Sequence, residues 1–189
     1  VTLDGVSLTG NTTLTVKSLL NSNVIPAAID FEDDCDYNIV QNVTVIVEDY
    51  ILGWGIGLWV FDAPSGKTPD YNLIQNNLIK SAGMAIIVVG DWDSTTVVPT
   101  VVRPIDNIIK ANKVGTPTDS LIAWGIQVER SKGTIIENNI VENVRYYNDY
   151  TNPAINAYGS DDCIIRNNIV HNVTGSSNIG TKGITLSGE

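Results

Sequence analysis

The chain is 189 residues long and 43% hydrophobic, yet it holds only 2 Phe, so its core must be built from Ile, Val and Leu in thin stacked strands. Its formal net charge of −10, with a pI near 4.4, argues against nucleic acid and anionic membrane surfaces as its partners. No apolar run is long enough to span a bilayer and no charged-then-apolar leader is expected at Val1, and a start other than Met is expected of a processed protein or of a piece of a longer one.

In chain order, residues 1–27 read as an irregular first coil that opens with Gly5-Val6-Ser7-Leu8, and the same kind of phrase then returns. It recurs as Ala28-Ile29-Asp30-Phe31, Gly57-Leu58-Trp59-Val60, Ala85-Ile86-Ile87-Val88, Gly125-Ile126-Gln127-Val128, Ala154-Ile155-Asn156-Ala157 and Gly183-Ile184-Thr185-Leu186. From Gly5 on, successive small residues stand 23, 29, 28, 40, 29 and 29 apart, so the one long interval holds an insertion near 89–106 that includes Gly90-Asp91-Trp92-Asp93. A second phrase interleaves with the first: Asn38-Ile39-Val40-Gln41-Asn42, Asn72-Leu73-Ile74-Gln75-Asn76-Asn77, Asn107-Ile108-Ile109-Lys110-Ala111-Asn112, Thr134-Ile135-Ile136-Glu137-Asn138-Asn139 and Cys163-Ile164-Ile165-Arg166-Asn167-Asn168.

Each phrase is short, alternating, rich in Ile and Val and bounded by Gly, Asn, Asp or Pro, which is the signature of a strand. A period of about 29 with no helical stretch is too short for a propeller blade and wrong for a leucine-rich repeat. The chain resembles the right-handed parallel β-helix superfamily of pectin-lyase-like and carbohydrate-binding repeat proteins, whose coils carry an Ile-x-x-Asn-x-Ile motif. The resemblance spans residues 28–186. It implies an all-β, single-stranded right-handed parallel β-helix of about six coils, with 1–189 as one domain and 28–186 as its regular coils.

Alternation assigns the faces. Ile136, Asn139 and Val141, and likewise Ile165, Asn168 and Val170, are expected to point inward, so Asn77, Asn112, Asn139 and Asn168 are expected to stack as an internal amide ladder. Ile39, Leu73, Ile108, Ile135 and Ile164 then align on the outside as an apolar stripe. Outward Trp59, and Trp92 in the insertion, are candidate sugar-stacking residues.

Gly159-Ser160-Asp161-Asp162-Cys163-Ile164 resembles the Gly-x-Asp-Asp-Cys element of polygalacturonases, in which paired carboxylates protonate the leaving group and activate water. The Asn-Thr-Asp, His-Gly and Arg-Ile-Lys elements that accompany it in that family are absent, and His171 is the sole histidine. The polysaccharide lyases of the same superfamily imply a different set, carboxylates with a basic residue on adjacent coils, for which Glu129, Arg130, Asp161 and Asp162 are the candidates. Asp33, Asp34 and Asp36 lie in a very acidic turn and are weak candidates for a metal. No cofactor is expected, with calcium as the one exception to consider. Cys35 and Cys163 fall four coils apart, about 19 Å, too far for a disulfide. The sequons at Asn11, Asn42 and Asn172 fall at expected turns, where an exported protein would carry glycans.

Two functions compete. The first is a non-enzymatic extracellular or cell-surface structural module, a fibre, sheath or array subunit whose partner is itself. Gly183-Ile184-Thr185-Leu186 and Gly5-Val6-Ser7-Leu8 read as like rungs in matching slots, so head-to-tail stacking through Val6, Leu8, Ile184 and Leu186 is expected. The alternative is a polysaccharide-active enzyme, a lyase or hydrolase, or a carbohydrate-binding β-helix.

Overall fold

A computed structural model describes residues 1–5, 14–18, 27–47, 53–93, 100–117, 121–145, 153–174 and 182–188. The chain winds as a parallel β-helix whose strands stack coil on coil in three rows. Coil 1 holds β1 (Thr2–Asp4), β2 (Thr15–Ser18) and β3 (Ala27–Glu32), and coil 2 holds β4 (Ile39–Gln41), β5 (Thr44–Val47) and β6 (Trp54–Trp59). In coil 3, β7 (Leu73–Gln75) is followed by β8 (Leu78–Val89), one long strand that runs through both the second and third rows. A hairpin of β9 (Asp91–Asp93) and β10 (Thr100–Val102), paired antiparallel, then interrupts the parallel order. This is the expected insertion. Coil 4 holds β11 (Ile108–Lys110), β12 (Lys113–Val114) and β13 (Leu121–Glu129); coil 5, β14 (Ile135–Glu137), β15 (Ile140–Glu142) and β16 (Ile155–Tyr158); coil 6, β17 (Ile164–Arg166), β18 (Ile169–His171) and β19 (Ile184–Ser187). The first row is the sheet β1-β4-β7-β11-β14-β17, and the other two rows join into a second large sheet.

The core follows from the alternation. Ile74, Ile109 and Ile136 of the first row, Val45, Ile79 and Val141 of the second, and Ile56, Ile86, Ile126 and Ile155 of the third are at most 1% exposed and form one apolar cluster. Between the first and second rows the chain turns through a left-handed residue in every coil from the second to the sixth, Asn42, Asn76, Ala111, Asn138 and Asn167, with φ between 54° and 57°. Asn tolerates that conformation better than most residues, and this explains the first Asn of each repeated pair. The second Asn points inward. Asn77 donates Nδ2–H to Asn112 Oδ1 at 3.0 Å, Asn112 to Asn139 Oδ1 at 3.1 Å and Asn139 to Asn168 Oδ1 at 3.0 Å, so each amide also takes a proton from the coil before it.

Register corrects two readings of the sequence. Ile56 pairs with Ile29 and Ile86, so the small residue of coil 2 is Gly55 rather than Gly57, and Gly57-Leu58-Trp59-Val60 is displaced by two positions from the phrase it was matched to. Gly55 is required there because a Cβ would stand 2.4 Å from the Ala85 carbonyl oxygen. Gly5 is not in the slot of Gly183. It follows β1, which stacks on β4 in the first row, and its N–H donates to Gln41 O, whereas Gly183 precedes β19 in the third row. Gly5 and Gly183 therefore do not share a slot. Val6 and Leu8 lie outside the described residues.

Candidate functional site

The outward positions of the third row make two parallel columns along the solenoid. Register places Asp30, Gly57, Ile87, Gln127, Asn156 and Thr185 in one, and Glu32, Trp59, Val89, Glu129, Tyr158 and Ser187 in the other. Coils are about 4.8 Å apart, so Trp59 and Ser187, four coils distant, are separated by about 19 Å along the axis. The face has two ends of different chemistry, divided at coil 3 by the apolar Val89 and by Ile87, which is covered and 1% exposed.

Coils 4 to 6 form the polar end. Gln127, Asn156 and Thr185 lie side by side, flanked by Glu129, Tyr158 and Ser187, with Gln127 Nε2 donating to Glu129 Oε1. Pro153, Asn156, Lys182, Thr185 and Ser187 line an open depression of about 200 Å³. The Thr185 hydroxyl is buried against this surface with no hydrogen-bond partner among the described residues. An unpaired buried hydroxyl costs about 1–3 kcal/mol.

Coils 1 and 2 form the aromatic, acidic end. The Trp54 and Trp59 rings meet edge-to-face at 4.9 Å and 80°, and Phe61, 65% exposed, extends the patch at 5.6 Å from Trp59. Gly57 makes room for it: a Cβ there would stand 2.7 Å from Asp30 Oδ1 and 3.2 Å from the Trp54 ring. Asp30 thus keeps an open flank while its carboxyl lies down on the sheet. Burial, reinforced by the charge of Glu32, pushes that carboxyl up to about 6.

The residues singled out from the sequence fall in several places. Glu129 ends β13, and Arg130 takes the next turn in a left-handed conformation, φ 46°. Asp161 sits one coil on, paired in register with Lys132, while Arg103, reaching from just beyond the hairpin, donates to the Gly159 carbonyl and lies 3.7 Å from the Asp161 carboxylate. Asp162 occupies an exposed left-handed turn position, φ 53°. Asp33, Asp34 and Asp36 are each engaged separately: Asp33 Oδ1 accepts the Phe61 and Asp62 N–H groups, Asp34 pairs with Lys67 at 2.7 Å, and Asp36 Oδ1 accepts the Asp70 N–H. Among the described residues no three His, Cys, Asp or Glu side chains are grouped as a metal would need.

Ile184 and Leu186 stack on Ile155 and Ala157 and are 49% and 71% exposed. Asn42 donates its amide to Asp4 at 2.9 Å, Asn172 is exposed in a left-handed turn, and Asn11 lies outside the described residues. Trp92 falls on β9, its side chain outside the described part. The two cysteines are free, and burial pushes the Cys163 thiol above its ordinary range.

Two clusters were missed from the sequence. Asn38, Asn72 and Asn107 form a second buried ladder, in which Asn72 Oδ1 accepts the Asn38 N–H at 2.7 Å and Asn107 Oδ1 the Asn72 N–H at 2.8 Å. Its signal was present in the Asn that opens three of the repeated phrases. Glu142, 3% exposed, has one carboxylate oxygen 3.0 Å from Lys113 Nζ, out of line for a hydrogen bond, and the other 3.3 Å from His171 Nε2. Nothing in the local sequence links these three.

No family model matches the chain, and no curated protein does. Among solved structures it is similar to an alginate lyase from Paenibacillus sp. str. FPU-7, with a TM-score of 0.43, 14% identity, 89% of this chain covered and 65% of that one. The chain thus matches less than two thirds of that protein's length. A likeness of this extent leaves function to be argued from the site itself.

Proposed function

We propose that this β-helix is a carbohydrate-engaging protein, of the polysaccharide-active or polysaccharide-binding kind, that takes its glycan along the outer face of the third row. One observation carries the reading: in coils 4 to 6 this face lines up Gln127, Asn156 and Thr185 beside Glu129, Tyr158 and Ser187, with the Thr185 hydroxyl unpartnered at the depression. Repeating hydroxyl and amide groups at about 4.8 Å intervals suit a repeating polyol, whose own hydroxyls both donate and accept. The fibre reading, by contrast, rested on Gly5 and Gly183 sharing a slot, and they do not. A polysaccharide partner would suit a protein at the cell surface or outside the cell.

The test is retardation of the protein in gels containing individual polysaccharides, with an assay for new unsaturated and reducing ends run on the same mixtures. At least one polymer is expected to retard the native chain, and Asn156→Ala together with Thr185→Val to weaken that retardation. Unsaturated ends would make the protein a lyase; binding without product would make it a binding module. Retardation by no polymer would refute the proposal.

A further inference from the structure

We infer that the aromatic end of this face is a stacking subsite for an uncharged pyranose ring, so that the protein's polymer is a neutral polysaccharide rather than a uronate one. The inference rests on the third-row face being the polysaccharide site, and it concerns coils 1 and 2, away from the polar row that carries that reading.

The geometry supplies a platform. Trp59 stands in the outward column with Phe61 beside it, and Trp54 packs over Gly57 to brace it from the flank. Aromatic rings take the C–H face of a sugar through apolar and C–H···π contact, which needs no charge on the ligand. The surroundings then select among sugars. Glu32 is Trp59's register partner in coil 1, and Asp30, next to it on the same outward side of β3, lays its carboxyl over Gly57. Asp33 is held beside Phe61 by accepting the N–H groups of Phe61 and Asp62. Lys67, a cation at this end, is already paired with Asp34 at 2.7 Å.

A uronate carboxylate docked on Trp59 would therefore approach several like charges, whereas a neutral ring would present hydroxyls to the same carboxylates as hydrogen-bond acceptors. Asp30, whose carboxyl is pushed up to about 6, also donates to a sugar hydroxyl on the acid side of that value. The overall charge of −10 acts in the same direction by repelling polyanions at long range.

The full chain is compared in gels containing neutral glucans, mannans, xylans and galactans and in gels containing alginate or polygalacturonate, at low and at moderate salt. A neutral polymer is expected to retard the protein nearly independently of salt, and Trp59→Ala to weaken its binding about tenfold, the effect of losing about 1.4 kcal/mol of stacking. Circular dichroism checks the fold of that variant. As Trp59 has a partly packed ring, the exposed substitution Glu32→Lys serves as the second variant: it is expected to gain retardation by alginate, and unchanged exclusion of alginate would refute the selection by charge. If only acidic polymers bind, losing affinity with salt while Asn156→Ala weakens them, the neutral class is refuted and the third-row site stands. If neutral polymers bind and respond to Asn156→Ala but not to Trp59→Ala, the aromatic subsite is refuted alone. If nothing binds, both fail.

Discussion

Asn112 and Asn139 are 27 residues apart in the chain and one coil apart in the fold, with the Asn112 amide nitrogen 3.1 Å from Asn139 Oδ1. The same oxygen also accepts the Asn112 backbone N–H at 2.9 Å, and Asn139 Nδ2 in turn donates to Ile109 O and to Asn168 Oδ1, each at 3.0 Å. One fully buried side chain thus joins three coils. Asn139→Ala strands several polar groups away from water and should cost about 3 kcal/mol. Urea denaturation checks this, with a lower midpoint and an unchanged slope as the expected result.

The bare backbone at Gly125 is a steric requirement. A Cβ on Gly125 would lie 2.1 Å from the Ala154 carbonyl oxygen and 2.6 Å from Val141 Cγ1, and the carbonyl is backbone. Gly125→Ala should therefore destabilise by roughly 3 kcal/mol, an overpacking cost at the upper end of the usual range. Gly66 is the control: its φ is 69° but a Cβ would meet nothing within 4 Å, so Gly66→Ala carries only backbone strain, about 1 kcal/mol. Thermal melts of the two variants should separate clearly, and equal melting temperatures would contradict the steric account.

The strands and the insertion were legible because the phrases repeat, and each copy supports the others. Slot assignment was harder. Trp54-Gly55-Ile56-Gly57 offers two glycines for one small position, and what decides between them is the pairing of Ile56 with Ile29 and Ile86, a relation across coils that no local pattern carries. Gly5 was placed in the wrong slot for the same reason: it follows β1, which belongs to the first row. The polar columns of the third row depend on the same register, so Gln127, Asn156 and Thr185 became neighbours only once the coils were stacked. The ion cluster of Glu142, Lys113 and His171 likewise joins three coils.

Asp30 gives the protein a distinctive pH dependence. Its carboxyl is raised from 3.8 to about 6, so between those values the folded chain holds a proton that the unfolded chain has released. Stability from this group is therefore greatest below about pH 4, falls as pH rises towards 6 and is flat above it. Asp30→Asn should remove that decline and make the chain more stable than wild type at pH 7. Urea midpoints for both proteins at pH 4 to 7 measure it, and parallel profiles would contradict it.

Cys163 packs against the core, and burial keeps its thiol protonated beyond the ordinary range. Only the thiolate is nucleophilic, so alkylation at neutral pH should be slow in the native protein and fast in denaturant. Peptide mass spectrometry after brief iodoacetamide treatment resolves the site; equal labelling in both states would show that the thiol is open.

The central claim, that a glycan lies along the third row, is tested most directly by lysine acylation of the native protein with and without the retarding polysaccharide. Lys182 lines the depression, whereas Lys110 and Lys113 are on the first and second rows. The account predicts that the polymer protects Lys182 and leaves Lys110 and Lys113 as reactive as before. Protection of Lys110 or Lys113 with Lys182 still fully labelled would place the glycan on another face and contradict it.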